Sequence, residues 1–153
     1  MFLGFYTSNI TKKNQLTFPN KFKRNTGQKL LLAKWFEKSV IVLPENIGEE
    51  IIQSILKETS ALLPEVRDLE RFFYGSAVTV TLDAKNRFVL PVALRQYLET
   101  KSKVVFVGVG SRIELWDEAV YQNYGKMREL QIRDTARRHF NRITMRKEHD
   151  EDI

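Results

Sequence analysis

A stretch near the middle of the chain recurs near its N-terminus, and this repeat constrains the fold more than any other feature. The stretch covers residues 81–95 (TLDAKNRFVLPVALR), and residues 10–23 (ITKKNQLTFPNKFK) are its degraded copy. Asn14 aligns with Asn86 and Pro19 aligns with Pro91, so both offsets are 72 (86 − 14 and 91 − 19). Because spacing and residue type both recur, the chain is predicted to contain two tandem versions of one structural unit.

Each copy is predicted to form a strand, a tight turn, a second strand and a short helix. The turns fall at residues 12–15 and 84–86, between apolar and β-branched flanks. Asparagine tolerates a positive φ, so Asn14 and Asn86 are predicted to orient the two turns. Proline fits the first position of a helix, which places the start of the first short helix at Pro19.

A pair of apolar segments follows each copy. In the first unit these segments are residues 30–33 and 40–43, and in the second they are residues 104–109 and 112–116. Short apolar runs bounded by polar turns are typical of buried strands. Each unit is therefore predicted to contain a buried hairpin after its short helix.

Helical spacing predicts helices in the connector and at the C-terminal end. The connector helices are expected to start at Pro44 and Pro64. Their apolar positions are Ile47, Ile51, Ile55, Val66, Leu69 and Phe73. Residues 119–147 are predicted to be helical, and arginines recur every fourth residue over residues 138–146. Such a stripe is usually a solvated face, with nucleic-acid contact and subunit packing as the alternatives.

The chain is predicted to divide into four regions that differ in charge. They are the first repeat (1–52), a helical connector (53–75), the second repeat (76–124) and a basic C-terminal helix and tail (125–153). The formal net charge is +6, yet residues 1–36 contain no carboxylate. The acidic residues of residues 45–71 are Glu45, Glu49, Glu50, Glu58, Glu65, Asp68 and Glu70. Such segregation favours a polyanionic partner, and a solvated face with counter-charges from elsewhere is the alternative.

Composition and motifs argue against an enzyme, a cofactor-binding protein or a membrane protein. The chain has no cysteine, and its longest apolar run, residues 104–109, falls far short of a membrane span of ~20 residues. No phosphate-binding loop, dinucleotide fingerprint or zinc motif is present. His139 and His149 lie outside the repeated core without metal-ligand spacing. The sequence predicts a cytoplasmic protein with no catalytic residue, cofactor, metal site or small-molecule substrate.

The repeated turn motif, together with residues 114–117 (ELWD) after the second apolar pair, resembles the MraZ family of bacterial transcriptional regulators. The resemblance runs from about Met1 to Tyr124. It implies an α+β fold in which two tandem AbrB-like swapped-hairpin units form a small β-barrel core with short flanking helices. It also implies a nucleoid-associated homo-oligomeric ring that binds direct repeats in the promoter of the division and cell-wall gene cluster.

The second copy matches the turn motif of the family better than the first copy does. Its motif residues are Asp83, Lys85 and Arg87, with Asn86 where the family usually has glycine. In the first copy, Thr11 stands at the position of the motif aspartate and Gln15 at that of the arginine. A hydroxyl and an amide cannot reproduce the charges of a carboxylate and a guanidinium. The second repeat is therefore predicted to be the stronger DNA reader.

The residues predicted to contact DNA lie on the turns and on the short helices that follow them. They are Lys12, Lys13, Gln15, Lys21, Lys23, Arg24, Lys85, Arg87 and Arg95. Lysine and arginine can neutralise phosphates, while Arg87 can read guanine and Gln15 adenine. Asp83 is predicted to orient Arg87 rather than to touch DNA. The alternative for these two residues is an ion pair that only stabilises the turn.

Two classes of function follow from these patterns. The first is a sequence-specific, DNA-binding transcriptional regulator, most simply a repressor, that acts as a ring on repeated promoter elements. The second is an antitoxin-like or scaffold protein that binds another protein rather than DNA. Phosphate contacts make affinity fall steeply with salt, whereas an apolar protein interface responds little, so salt dependence distinguishes the two.

Overall fold

The computed structural model describes residues 1–56 and 60–152, and over these residues the chain is an α+β protein. The strands are β1 (Phe2–Asn9), β2 (Gln15–Thr17), β3 (Lys29–Lys34), β4 (Val40–Pro44), β5 (Val78–Thr81), β6 (Arg87–Val89), β7 (Lys103–Gly110) and β8 (Ile113–Asp117). The helices are α1 (Asn20–Thr26), α2 (Glu45–Ile55), α3 (Pro64–Phe73), α4 (Val92–Leu98), α5 (Glu118–Glu129) and α6 (Ile132–Glu151). The predicted α+β class is confirmed. Glu58 of the acidic connector and Ile153 of the tail lie outside the described residues.

Six strands form one antiparallel sheet in the order β1-β7-β8-β4-β3-β5, and β2 pairs with β6 in a separate ribbon. The order is symmetric about the β8–β4 pair, because each repeat contributes one hairpin, β3–β4 or β7–β8. The first strand of each repeat pairs with the hairpin of the other, β1 with β7 and β5 with β3. The two repeats therefore share one sheet.

The predicted β-barrel core is wrong, because this sheet is open. Strands β1 and β5 lie at its two ends, and β2 and β6 pair with each other instead of joining those ends. Each ribbon strand is only three residues long, and Pro19 and Pro91 follow two residues after the strands end. Proline has no N–H to donate to a ladder, so the ribbon cannot lengthen to meet the sheet edges. The AbrB-like character of the two units stays a prediction.

An aromatic cluster packs the ribbon against the sheet. Phe106 of β7 is fully buried, and its ring centroid lies 5.5 Å from that of Phe18 and 6.4 Å from that of Phe88. Both contacts are edge-to-face, an arrangement that aromatic rings favour. Phe22 of α1 packs on Phe18 at 6.2 Å. Side chains from both repeats thus hold the ribbon in place.

A second cluster packs the connector helices against the sheet. Ile52 of α2 and Phe73 of α3 are buried beside Trp35, whose ring lies 5.4 Å from that of Phe73. Trp35 and Trp116 are 7% and 3% exposed, so both tryptophans pack in the core. Leu69, on the predicted apolar side of α3, is 36% exposed. The cluster therefore uses only part of the predicted apolar side of α3.

Helix α2 packs through a face that only partly overlaps the predicted one, since Ile51 is partly buried against the cluster whereas its predicted neighbours are exposed. Ile52 is buried, whereas Ile47 and Ile55 are 38% and 42% exposed. The reason is Gly48, one helical turn before Ile52, where a Cβ atom would lie 2.6 Å from the side chain of Leu31. The helix approaches the sheet most closely where it has no side chain, and this turns the Gly48–Ile52 face inward.

The C-terminal helices form a second compact unit that begins at residue 119. Helices α5 and α6 are separated at Leu130 and Gln131, so the prediction of one helical stretch over residues 119–147 is wrong at that break. The sequence carried a sign of this break, because the predicted apolar positions pass from Met127 to Ile132, a step of five residues instead of three or four. Arg138, Arg142 and Arg146 are exposed. Within the described residues, no helix is long and apolar enough to span a membrane.

Replacing Gly108 with alanine is expected to destabilise the sheet by about 1–3 kcal/mol, as overpacking does elsewhere. A Cβ atom at this position would lie 2.5 Å from the backbone nitrogen of Leu3, so β1 would have to move away from β7. Urea denaturation followed by circular dichroism measures the loss. Gly125 is the matched control, because a Cβ there meets nothing within 4 Å. Alanine at Gly125 should stabilise α5 slightly, and equal midpoints for the two variants would contradict the β1–β7 packing.

Candidate nucleic-acid interface

The two repeated turns lie at opposite ends of the β2–β6 ribbon. Leu16 pairs with Phe88 at its centre, and both side chains are buried. Because side chains alternate along a strand, the neighbouring residues point to the opposite face. That outward face carries Gln15 paired with Val89 and Thr17 paired with Arg87. A two-stranded ribbon fits the major groove of B-form DNA.

The second turn is organised by the carboxylate of Asp83. Its Oδ1 accepts hydrogen bonds from the backbone nitrogens of Lys85 and Arg87, both at 2.9 Å. Its Oδ2 accepts a third from Nε of Arg87, also at 2.9 Å. These bonds, above all the one from the backbone of Arg87, lower the pKa of Asp83, so the carboxylate is charged at neutral pH.

The Asp83–Arg87 pair is partly open to solvent, with both side chains 39% exposed. Within the described residues, the guanidinium of Arg87 is seen to donate to protein only through Nε. Its two terminal nitrogens make no protein hydrogen bond among the described residues and can donate to a ligand. The pair therefore both stabilises the turn and holds a cation in a defined orientation, which combines the two interpretations of these residues.

The first turn keeps part of this arrangement without the charges. The hydroxyl oxygen of Thr11 accepts a hydrogen bond from the backbone nitrogen of Gln15 at 3.0 Å. This bond corresponds to the one that Asp83 accepts from the backbone of Arg87. No hydrogen bond from the Gln15 side-chain amide is seen within residues 1–56 and 60–152. The turn thus retains its backbone shape but lacks the ion pair of its counterpart.

Both turns need an asparagine in the left-handed region of the backbone. Asn14 has φ of 63° and Asn86 has φ of 60°, values that asparagine adopts more readily than most residues. The carbonyl oxygen of each accepts a hydrogen bond from the other repeat, Asn86 from the Phe18 nitrogen and Asn14 from the Leu90 nitrogen, both at 2.7 Å. Each turn is therefore tied to the strand end of the opposite repeat.

Two of the predicted DNA-contact residues also form hydrogen bonds with the opposite repeat. Lys23 of α1 donates to the side-chain oxygen of Asn86 in the second turn. Arg95 of α4 donates to the side-chain oxygen of Asn14 in the first turn and, at 3.3 Å, to the carbonyl of Thr11. Both side chains are half-buried. Lys23 and Arg95 are thus each bonded to the turn of the opposite repeat, and their contact with DNA stays a prediction.

The remaining predicted cations fall into two groups. Lys12, Lys13 and Lys85 are exposed on the turns, and no partner for their ammonium groups is seen in the part of the chain that the structure describes. Lys21 and Arg24 lie on α1 instead, where they line a groove of about 700 Å³ with residues of β1. The turn lysines therefore share the ribbon surface with Gln15 and Arg87, whereas the α1 cations border it.

Two residues of the outward ribbon face are not among the predicted DNA-contact residues. Val89 is 55% exposed, and Thr17 is exposed opposite Arg87. Val89 also lines a concavity of about 400 Å³ together with Lys12, Lys13, Gln15 and Thr11. Alternation about the buried Leu16 and Phe88 would have identified both positions, because residues on either side of a buried strand position face outward.

Comparisons with known proteins identify the family of this chain. The family described as "MraZ protein, putative antitoxin-like" matches residues 73–143. A "Transcriptional regulator MraZ" from Desulfitobacterium hafniense (strain DSM 10664 / DCB-2) is 32% identical over 129 residues, which cover 84% of this chain and 90% of the relative. The chain belongs to the MraZ family.

Two further MraZ proteins show similar coverage. The "Transcriptional regulator MraZ" of Syntrophomonas wolfei is 29% identical over 136 residues, 89% of this chain and 94% of the relative. That of Leuconostoc mesenteroides is 31% identical over 124 residues, 81% of this chain and 86% of the relative. The predicted family is confirmed. MraZ relatives are named as regulators and not as enzymes, which confirms the prediction that the chain is not an enzyme.

Proposed function

We propose that this MraZ-family chain is a sequence-specific, DNA-binding transcriptional regulator that reads its operator with the β2–β6 ribbon and its two turns. One observation carries the proposal: an outward ribbon face is flanked at both ends by exposed cations that have no protein partner among the described residues. The names of the relatives support the regulatory role. A ribbon reader of this kind inserts two strands into the major groove.

Some residues of the ribbon surface contribute affinity by binding phosphates, and others contribute specificity by contacting bases. Lys12, Lys13 and Lys85 bind phosphates, which positions the protein on the duplex without reading sequence. Arg87 donates its terminal nitrogens to a guanine, and Gln15 contacts an adenine. The methyl groups of Val89 contact a thymine methyl group, the one apolar feature of the major-groove edge.

The α1 cations extend the phosphate-binding surface beyond the ribbon. Lys21 and Arg24 are exposed, and Lys21 Nζ lies 5.7 Å from the ring centroid of Tyr6, a contact that leaves its N–H donors available. The two residues are one helical turn apart on α1, so both can follow one DNA strand. Asp83, Asn14 and Asn86 keep their proposed role of orienting the turns.

We further propose that several copies assemble and read repeated promoter elements together. Edge strand β1 exposes Leu3 and Phe5 at 63% and 66%, an apolar edge that supports association. A ring would set several ribbons against spaced direct repeats, and linked weak contacts would raise the overall affinity. As the family resemblance implies, the target is the division and cell-wall gene cluster, the effect is repression, and the site of action is the nucleoid in the cytoplasm.

Binding to the duplex upstream of the gene, measured by fluorescence anisotropy at several salt concentrations, tests the proposal. Affinity should fall steeply with salt, and the native duplex should remain preferred over a scrambled one. Replacing Lys12 and Lys13 with alanine should weaken binding to both duplexes alike. The salt slope should then fall by about 1 for each lysine.

The control for this measurement is the pair Lys126→Ala and Arg128→Ala on α5, which removes equal charge from a helix that is not part of the ribbon or its turns. Its salt slope should stay close to that of the unchanged protein. Equal, salt-labile binding to the native and scrambled duplexes would reject operator reading and leave a basic surface only. Binding that does not respond to salt would favour the protein-binding, antitoxin-like alternative.

A further inference from the structure

The two turns differ in the number of side-chain hydrogen bonds that are formed within the turn itself. In the second turn, the Asp83 carboxylate accepts three hydrogen bonds from within the turn. In the first turn, the Thr11 hydroxyl accepts one. Hydrogen bonds to a charged acceptor are roughly twice as strong as bonds between neutral groups. The first turn therefore needs support from elsewhere to hold the same shape.

Arg95 supplies that support from the opposite repeat. One terminal nitrogen donates to the Thr11 carbonyl at 3.3 Å and to the side-chain oxygen of Asn14, and the other donates to the Lys101 carbonyl at 2.7 Å. A planar guanidinium fixes the direction of all these donors at once. The side chain thereby ties the first turn to the loop that precedes β7.

The equivalent residue of the other repeat makes a weaker connection. Lys23 aligns with Arg95 (95 − 72 = 23) and is seen to donate only to the side-chain oxygen of Asn86 among the described residues. An ammonium group is a point charge without a fixed fork of donors. Asn86 also donates through its side-chain nitrogen to the side-chain oxygen of Asn20 on α1. The second turn thus combines its Asp–Arg pair with two single cross-repeat bonds, whereas the first turn lacks the pair and is held at two points by one guanidinium.

We propose that Arg95 is a positioning residue that replaces the missing Asp–Arg pair of the first turn, and that it acts on DNA binding through that turn rather than by contacting DNA. The part that concerns DNA rests on the proposed function. The effect of Arg95 on the first turn does not depend on the proposed function, because every contact between Arg95 and that turn lies within the free protein.

Hydrogen exchange of backbone amides in the free, full-length protein tests the positioning role. Three amides report on each turn: Thr11, Asn14 and Gln15 in the first, and Asp83, Asn86 and Arg87 in the second. Arg95→Ala should speed exchange in the first turn by about tenfold, since every bond of the guanidinium is lost. Arg95→Lys should speed it less, because a lysine can keep the bond to Asn14, as Lys23 does with Asn86, but loses those to the carbonyls of Thr11 and Lys101. Lys23→Ala is the matched variant, and it should change exchange in the second turn by less than about threefold because Asp83 remains.

Rebuilding the missing pair provides a rescue that a general loss of structure would not show. Thr11→Asp combined with Gln15→Arg, placed in the Arg95→Ala protein, should return exchange in the first turn close to its original rate. Should Arg95→Ala fail to fold, Arg95→Lys carries the same comparison, with the same pair as its rescue. Unchanged exchange in the first turn of a folded Arg95 variant, or failure of the rescue, would overturn the proposal.

Anisotropy with the native upstream duplex separates this proposal from the proposed function. Faster exchange in the first turn, combined with weaker binding in both Arg95 variants, supports both. The rescued protein is compared by exchange alone, because it replaces Gln15, a proposed base contact. If the Arg95 variants show faster exchange in the first turn but the unchanged protein does not prefer the native duplex, the positioning role is kept and the DNA role is rejected. Full binding by Arg95→Lys with unchanged exchange would show that Arg95 acts as a phosphate contact, and it would overturn the positioning role.

Discussion

Arg87→Ala is expected to weaken binding to the native upstream duplex by about 5- to 150-fold, which corresponds to the ~1–3 kcal/mol of a bidentate base contact. The structure holds this guanidinium by its Nε against Asp83, and its terminal nitrogens make no protein hydrogen bond among the described residues. Gln15→Ala should cost less than about fivefold, because it removes a neutral donor and acceptor. Fluorescence anisotropy at one moderate salt concentration compares the two variants directly.

Arg87→Lys is the control for charge in this comparison. A lysine keeps the positive charge but cannot offer a planar pair of donors, so discrimination against the scrambled duplex should fall more than affinity does. The turn should survive, because Asp83 would still accept the backbone bonds of Lys85 and of residue 87. Similar losses for Arg87→Ala and Gln15→Ala would argue against the second repeat as the stronger reader.

Phe106→Ala is expected to lower the free energy of unfolding by about 3–5 kcal/mol, the range for truncating a large buried side chain. Phe106 is fully buried, and its ring contacts Phe18 of the first repeat and Phe88 of the second. Its loss would leave a cavity beneath the proposed DNA-reading surface. Urea denaturation monitored by circular dichroism measures the change.

Phe140→Ala is the matched control, because this phenylalanine is 63% exposed on α6. Exposed substitutions of this kind usually change stability by less than about 0.5 kcal/mol. A loss for Phe106→Ala as small as that of the control would mean that the ribbon is not held on the sheet by this cluster. The variant should also bind DNA less well at temperatures where it remains folded, since the ribbon would lose its support.

Local structure was largely predictable from the sequence, because its signals are short-range. The positive φ of Asn14 and Asn86 and the short helix after Pro19 follow from residues within a few positions of each other. The break between α5 and α6 left a weaker signal, a step of five residues between the apolar positions Met127 and Ile132. Local chemistry thus located most elements, although it misplaced some helix faces and ends.

Pairing between the repeats could not be predicted in the same way. Apolar runs show that β3 and β7 are buried, but they do not specify which strand lies beside each. The pairing of β1 with β7 and of β5 with β3 depends on the packing of both repeats at once. The barrel expectation failed at this level, because nothing in the sequence showed that β2 and β6 would pair only with each other.

The candidate site shows the same division between local and long-range information. Motif spacing identified Asp83 and Arg87 as partners, and they lie 2.9 Å apart. The sequence placed Lys23 and Arg95 on a DNA-facing surface, whereas each donates to an asparagine of the opposite turn. Those contacts join residues that are more than 60 positions apart, a separation at which residue type alone gives no guidance.

Hydrogen exchange of the full-length protein with and without the native upstream duplex tests the location of the proposed interface most directly. Amide exchange should slow on binding at residues 11–17 and 83–89, which form the two turns and the ribbon, and should not change in α2 and α3. The scrambled duplex should give weaker protection that disappears at moderate salt. Protection confined to α6, with the ribbon amides unchanged, would contradict the claim that the ribbon reads DNA.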